Sequence, residues 1–447
     1  MFKSILIVNR GEIALRIIRT CVEMGIRTVA VYSDADRESL HVTYADEAMN
    51  IGKPLAKKSY LDREKIVSVA KKTGAEAIHP GYGFLAEDEV FTRMCEENDI
   101  KFIGPSSESQ RKAGNKIEAR KAAKRAGVPI LPGSEGAVSL EDAIKVTEEI
   151  GYPVIIKASG GGGGRGMRVA HNEIQLKEFL LMAKGEASAA FGNPDLYIER
   201  YITEPRHIEF QIIADEFGNY VHLGERECSV QKRYQKLIEE SPSPVMDEQL
   251  REEMGNAAIE VMKAVGYFNA GTVEFLVDKK KNFYVNEINS RLQVEHPVTE
   301  MVTGLDLVHL QIVIASGEKL NIAQENIGLN GWSIECRINA EDPEEDFMPS
   351  PGVIEKLRLP GGFGVRLDTH IYEGYTVPPF YDSLLGKLVV WGGERNIAIR
   401  RMSRALAEFE IEGLPVTIPF HEKVLRDKDF INDDIDTHYL ERVYKKM

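Results

Sequence analysis

Cysteine is scarce: Cys21, Cys95, Cys228 and Cys336 lie far apart among 447 residues and form no C-x-x-C pair. Neither a zinc-ligand spacing nor a disulfide framework is indicated, and a reducing compartment is expected. No segment approaches the roughly 20 consecutive apolar residues that span a bilayer. The apolar run within residues 1–9 is too short for a secretory h-region and reads as a first strand. A cytoplasmic protein without a membrane partner is expected. Positive charge is also in deficit, with 56 Lys and Arg against 70 Asp and Glu and a formal net charge of −14. A phosphate backbone would repel such a molecule at long range, so no nucleic-acid partner is expected. A local basic pocket for a nucleotide stays open. Internal repeats are missing, and the single low-complexity tract is a glycine run. What is present is an ordinary globular composition, 43% hydrophobic and 28% charged. A chain this long exceeds one compact core and predicts two to four domains.

Residues 1 to about 110 alternate strands (4–8, 28–32, 77–79, 101–103) with helices (12–24, 63–73). That order predicts a parallel sheet with crossover helices, with ligands at its strand ends. From Gly127 a Pro- and Gly-punctuated linker opens a compact unit: helix 140–150, strand 154–157, a glycine loop, strand 167–170, helix 173–184 and strand 196–200. A unit of about 70 residues inserted in this way suits a mobile lid. Strands 207–214, 220–226 and 271–277 follow. Beyond about Trp332 the pattern is rich in strands and turns and suggests a separate β-structure, with a helix over 397–409.

The segment 284–299 reads Y-V-N-E-I-N-S-R-L-Q-V-E-H-P-V-T. Its polar residues Glu287, Asn289, Arg291, Gln293 and Glu295 fall on every second position, which in a strand would put them on one face. Carboxylate and amide oxygens beside a guanidinium suit a Mg²⁺-nucleotide held next to a small anion. A solvated strand with scattered charges is the plainer alternative, and the regular spacing argues against it. Glu274 lies in an otherwise apolar strand, where a carboxylate is costly unless paired or metal-bound. Across the 278–282 turn it would face Glu287 and complete a two-strand clamp for Mg²⁺.

Lys157 ends an apolar strand and is followed by Ala-Ser and five glycines, Gly160 to Gly164. Glycines let a backbone approach phosphate oxygens and present amide donors. A flexible linker is the other reading, but linkers do not usually sit between two strands of one hairpin. No Walker A Gly-Lys-Ser/Thr follows, and no helix opens from the loop as in a dinucleotide fingerprint. Lys236 clusters with Lys232 and Arg233 and suggests an anion site, with a basic surface turn almost as well supported by spacing alone.

Five strings carry a resemblance: Asn9-Arg10-Gly11-Glu12-Ile13-Ala14, residues 79–85 (H-P-G-Y-G-F-L), residues 157–167, residues 287–299 and residues 336–343 (C-R-I-N-A-E-D-P). Together they resemble the ATP-grasp superfamily and, more closely, the biotin carboxylases, and they span nearly the whole chain. The resemblance implies an α/β and α+β multidomain fold. Its parts would be a Rossmann-like pre-ATP-grasp domain over 1–113, an ATP-grasp domain over 114–330 with a lid over about 130–203, and a C-terminal β-rich domain over 331–447. It implies carboxylation of carrier-borne biotin by ATP and bicarbonate, with Mg²⁺ or Mn²⁺.

By the same resemblance the nucleotide falls to Lys116, Lys157, Gly163, Gly164, Glu199, Arg200, Tyr201, Ile202, His207, Gln231 and Tyr234, together with Glu274 and Glu287. Metal falls to Glu274, Glu287 and Asn289. Bicarbonate falls to Lys236, Arg291, Gln293 and Val294. Glu295 resembles the base that deprotonates bicarbonate, Arg337 the stabiliser of the biotin enolate, and Tyr82 a contact at the biotin ring. The chain departs from the family at Tyr234, where histidine is usual, at Arg200 in place of lysine, and at Asn115 where aspartate is frequent. A phenol donates a hydrogen bond but cannot become cationic near neutrality. The expected partners are a biotin carboxyl carrier protein, a subunit with carboxyltransferase activity, and a second copy in a homodimer. No A-M-K-M biotinylation motif is present, so a free subunit or a fragment of a longer chain is expected. The alternatives are another ATP-grasp ligase that forms an acyl phosphate, and a catalytically silent nucleotide-binding subunit. Glu295-His296-Pro297 and Arg337 argue against the first, and the presence of Arg291, Glu295 and Arg337 argues against the second.

Overall fold

The computed structural model describes residues 1–160, 167–191 and 194–444. The apolar run at the start is a buried strand, Ser4–Ile7, at the middle of a five-stranded parallel sheet. Across that sheet the strands run Glu47–Gly52, Arg27–Ser33, Ser4–Ile7, Ala77–His79 and Lys101–Phe102. Crossover helices cover it. Arg63–Thr73 starts at Asp62, which accepts the Lys65 amide, and stops at Gly74 in the left-handed conformation that glycine adopts without strain. The first strand lies parallel to Ala77–His79, and the order in which successive strands are added switches sides between them, which opens a crevice at their carboxyl ends. There the Asn9 amide donates to the Pro80 and Tyr82 carbonyls at 2.7 Å each, tying the Tyr82 loop to the first strand.

The lid-like unit is a three-stranded antiparallel sheet, Arg168–Ala170, Val154–Ala158 and Leu196–Arg200, backed by helices Leu140–Ile150 and Glu173–Phe191. Ser139 and Asp142 close a reciprocal capping box at the first helix. Val154, Ile156, Leu176 and Ile198 form a small core of their own. The glycine run from 161 to 166, which includes Gly163 and Gly164, lies outside the described residues.

The body is one eight-stranded antiparallel sheet. Its order is Phe283–Asn289, Asn269–Val277, Arg206–Ala214, Tyr220–Lys232, Gln235–Ser241, Trp332–Asn339, Leu384–Gly392 and Val365–Thr369. The separate β-structure expected after Trp332 is thus corrected in one respect. Trp332–Asn339 pairs antiparallel with Gln235–Ser241, so the body's sheet runs on into the C-terminal part. Helix Arg395–Glu408 and a distinct apolar core there still give that part its own interior. A second correction concerns residues 284–295. The strand ends at Asn289, and Ser290 to Val294 form a turn before Glu295, which stands at the start of the helix His296–Thr303 with its side chain turned away from the helix amides. Among the described residues no single helix is long and apolar enough to cross a membrane.

Candidate active site

A cavity of about 1110 Å³ opens between the crevice of the parallel sheet, the lid sheet and the body. Lys116, Lys157, Arg200, Tyr201, Ile202, His207, Gln231 and Tyr234 line one part of it. Asn115 caps the helix Lys116–Arg125 by accepting the Ile117 and Glu118 amides, so its departure from aspartate leaves the cap intact. That helix start aims Lys116 at Glu287, and the two form a close ion pair. Burial would lower the Lys116 pKa, but Glu287 raises it above the usual lysine value. Lys157 donates to Asn286 at 3.0 Å and pairs with Glu199 at 2.7 Å. Glu199 itself is fully buried between Lys157 and Arg120 and does not line the cavity, so its carboxylate positions Lys157. Tyr201 shares a 2.6 Å hydrogen bond with His438, and Tyr234 is half exposed at the rim.

The other part holds a buried ionic cluster. The Lys236 ammonium donates to Glu209 at 2.7 Å, Glu274 at 2.9 Å and Glu295 at 2.7 Å. Arg226 holds Glu209 at 2.6 Å, and Arg337 bridges Glu239 at 2.6 Å and Glu295 at 3.0 Å. Burial by itself would push the Glu295 carboxyl up, but Lys236, Arg337 and Arg226 pull it well below the usual carboxylate range. Glu274 is held down in the same way by Lys236 and His207 against its burial. Both are therefore anions at neutral pH. Arg291 is oriented by Glu87 at 2.9 Å and donates to the Gln293 amide oxygen at 2.7 Å, so these two bicarbonate candidates form one unit. Lys232 and Arg233 both pair with Asp346, with Arg233 also lining the cavity, and Lys236 is the one of the three buried among the carboxylates.

Glu274 and Glu287 are register partners on adjacent strands, as the sequence implied, and the Asn289 amide donates to Glu274 at 3.0 Å. Two carboxylates and an amide oxygen on one sheet face fit a hard divalent cation. Holding one would require Glu287 to turn from Lys116, and Glu274 to share its charge with Lys236 and His207. The tighter acidic groupings, His207–Glu209–Glu274 and Glu209–Cys228–Glu295, surround the Lys236 side chain, whose ammonium already pairs with their carboxylates.

Three family models match in order. They are the biotin carboxylase N-terminal domain over residues 1–109, the carbamoyl-phosphate synthase L chain ATP-binding domain over 115–323, and the biotin carboxylase C-terminal domain over 335–442. The middle match is shared with the rival ligase class; the two flanking ones decide between them. The chain belongs to the biotin carboxylase family. As a member it is an ATP-dependent ligase with the three-domain architecture of that family. It is 55% identical to biotin carboxylase 1 of Bacillus subtilis, over 99% of this chain and 98% of that protein. It is 51% identical to the 2-oxoglutarate carboxylase small subunit of Hydrogenobacter thermophilus, over 99% and 93%. A biotin carboxylase from Campylobacter jejuni, solved as a complex with a β,γ-ATP ligand, superposes with a TM-score of 0.97 at 51% identity, covering 99% of each chain.

Reading the sequence alone missed Glu87, Glu209, Arg226, Glu239, Asn286 and Lys387. For Glu209 the signal was available: it alternates with His207 and Gln211 along one strand face. Glu87 gave none, because it reaches Arg291 from a loop of the other sheet.

Proposed function

We propose that this biotin carboxylase joins bicarbonate to biotin on a carrier protein, with cleavage of ATP to ADP and phosphate, by the residues of the cavity just described. The observation that carries this reading is the Glu295 carboxylate, ionised, buried and aimed into the cavity between Lys236 and Arg337. Lys116, Lys157 and His207 hold the phosphates at the nucleotide end. Lys236, Arg291, Gln293 and the Val294 backbone hold bicarbonate. Glu295 takes the bicarbonate proton as its oxygen attacks the γ-phosphorus, ADP departs, and carboxyphosphate results. As carboxyphosphate gives up its phosphate, that phosphate takes the ureido proton of biotin and the nitrogen bonds to the carboxyl carbon. Arg337 stabilises the negative charge on the ureido oxygen, and Tyr82 contacts the ring. Glu274, Glu287 and Asn289 would hold Mg²⁺ or Mn²⁺, which would supply charge neutralisation at the phosphate oxygens. Closing of the lid unit excludes water from a labile intermediate.

The partners of this reading are a biotin carboxyl carrier protein and a carboxyltransferase subunit, in the cytoplasm. Relatives of similar identity carry the names of biotin, pyruvate and 2-oxoglutarate carboxylases, so we assign choice of the final acceptor to the carboxyltransferase. A biotin carboxylase domain from Hydrogenobacter thermophilus, 50% identical, is described as a dimer with MgADP, ADP and bicarbonate, and we extend the dimer to this chain. Sedimentation as a monomer at micromolar concentration would remove that part. The central test is ADP release with ATP, Mg²⁺ and bicarbonate, with and without free biotin. Stimulation that needs both biotin and bicarbonate is expected; turnover indifferent to biotin would overturn the reading.

A further inference from the structure

Lys387 is the one charged residue of the strand Leu384–Gly392, whose sequence is otherwise L-L-G and L-V-V-W-G. Its side chain is wholly buried. An apolar residue would fill such a position at lower cost in desolvation, so a buried ammonium there asks for a reason. Three contacts supply one. The ammonium donates to the Val294 carbonyl at 3.1 Å, pairs with Glu12 at 3.2 Å, and lies 5.8 Å from the centre of the Tyr82 ring. Glu12, in the first turn of the helix Gly11–Glu23, also accepts a close hydrogen bond from the Tyr82 hydroxyl. Asp368 stands farther off at 4.0 Å and is engaged bidentately by Arg366. Lys387 is also the register partner of Arg337 on the neighbouring strand, so both cations rise from the same sheet face.

The Val294 carbonyl belongs to the turn that carries Gln293 and Glu295. That turn has left the sheet and is fixed from outside. Glu87 accepts the Ser290 amide at 3.1 Å, His296 bonds the Gln293 carbonyl at 2.8 Å, and Lys387 holds the Val294 carbonyl. We propose that Lys387, oriented by Glu12, is a positioning residue for bicarbonate: it fixes the Val294 turn and, through Glu12 and Tyr82, ties that turn to the biotin side of the cavity. This rests on the function proposed above.

Steady-state kinetics on the full chain, with free biotin as acceptor, tests it. Lys387→Met should raise the KM for bicarbonate about tenfold, as loss of a charge-assisted hydrogen bond would, while the KM for ATP stays within about twofold. A folded Lys387→Met protein with an unchanged bicarbonate KM overturns the proposal. So does a variant in which the ATP and bicarbonate KM values rise alike, since that is what a purely structural ion pair predicts. If Lys387→Met does not fold, the charge-balanced pair Glu12→Gln/Lys387→Met is read by the same criterion. The unaltered protein separates the two levels. Biotin-independent turnover there overturns the parent reading, whereas biotin-dependent turnover with a normal variant overturns only the role of Lys387.

Discussion

Glu295→Gln is the substitution that bears hardest on the mechanism. The amide keeps the side-chain volume and can still accept from Arg337, but it cannot take a proton from bicarbonate. A positioned base contributes about 10²- to 10⁴-fold, so roughly 3 to 5 kcal/mol of the barrier is at stake. The cluster itself should survive. Lys236, Arg226 and Arg337 face the carboxylates of Glu209, Glu239, Glu274 and Glu295, so removing one anion leaves every cation a carboxylate at hydrogen-bond distance. Lys236 keeps Glu209 and Glu274, and Arg337 keeps Glu239. The melting temperature should therefore move by no more than about 5 °C. The assay is biotin-dependent ADP release at saturating ATP and bicarbonate, run beside a thermal melt of the same sample. Turnover within tenfold of the unaltered protein would refute the base assignment. A large loss of turnover accompanied by collapse of the melt would refute the electrostatic accounting.

Three further outcomes are expected. Arg337→Ala should lower biotin carboxylation at least about 10²-fold and, unlike Glu295→Gln, should lower the melting temperature clearly, because Glu239 is left buried without its cation beside Glu335; full activity would contradict the role. The described strands and helices of the unit over about 130–203 should gain hydrogen-exchange protection when ATP is added, and equal protection with and without ATP would count against a lid. Burial holds the imidazoles of His41 and His421 down at about 4 and those of His79 and His370 down at about 3. The unfolded chain binds more protons below pH 6.5, so their share of stability is complete above that value and is lost as pH falls toward the folded values. Their NMR ring signals should keep neutral-form shifts down to pH 5, and titration of any of the four near 6.5 would refute its burial in neutral form.

Element order and the identity of most cavity residues were legible because they rest on local periodicity and on short strings. Helix Arg63–Thr73 and strand Leu196–Arg200 fall where the pattern puts them. The segment after Asn289 shows where such reading fails. Alternation of polar residues from Glu287 to Glu295 implied one strand face, yet the last three of the five come off a turn and a helix cap. They still converge, because Glu87 and Lys387 reach that turn from two distant parts of the chain, while His296 bonds the Gln293 carbonyl locally. The two long-range contacts leave no trace in spacing, since they depend on how distant segments pack. Lys236 carries the same lesson. In sequence it is one of three neighbouring cations, but Lys232 and Arg233 pair with Asp346 across the hairpin end, and Lys236 is the ammonium among three buried carboxylates. A sequence shows which charges exist, whereas the hairpin decides which of them loses its water. That desolvated subset is held in fixed charge states by its neighbours, which keeps Glu295 ionised and so free to accept a proton.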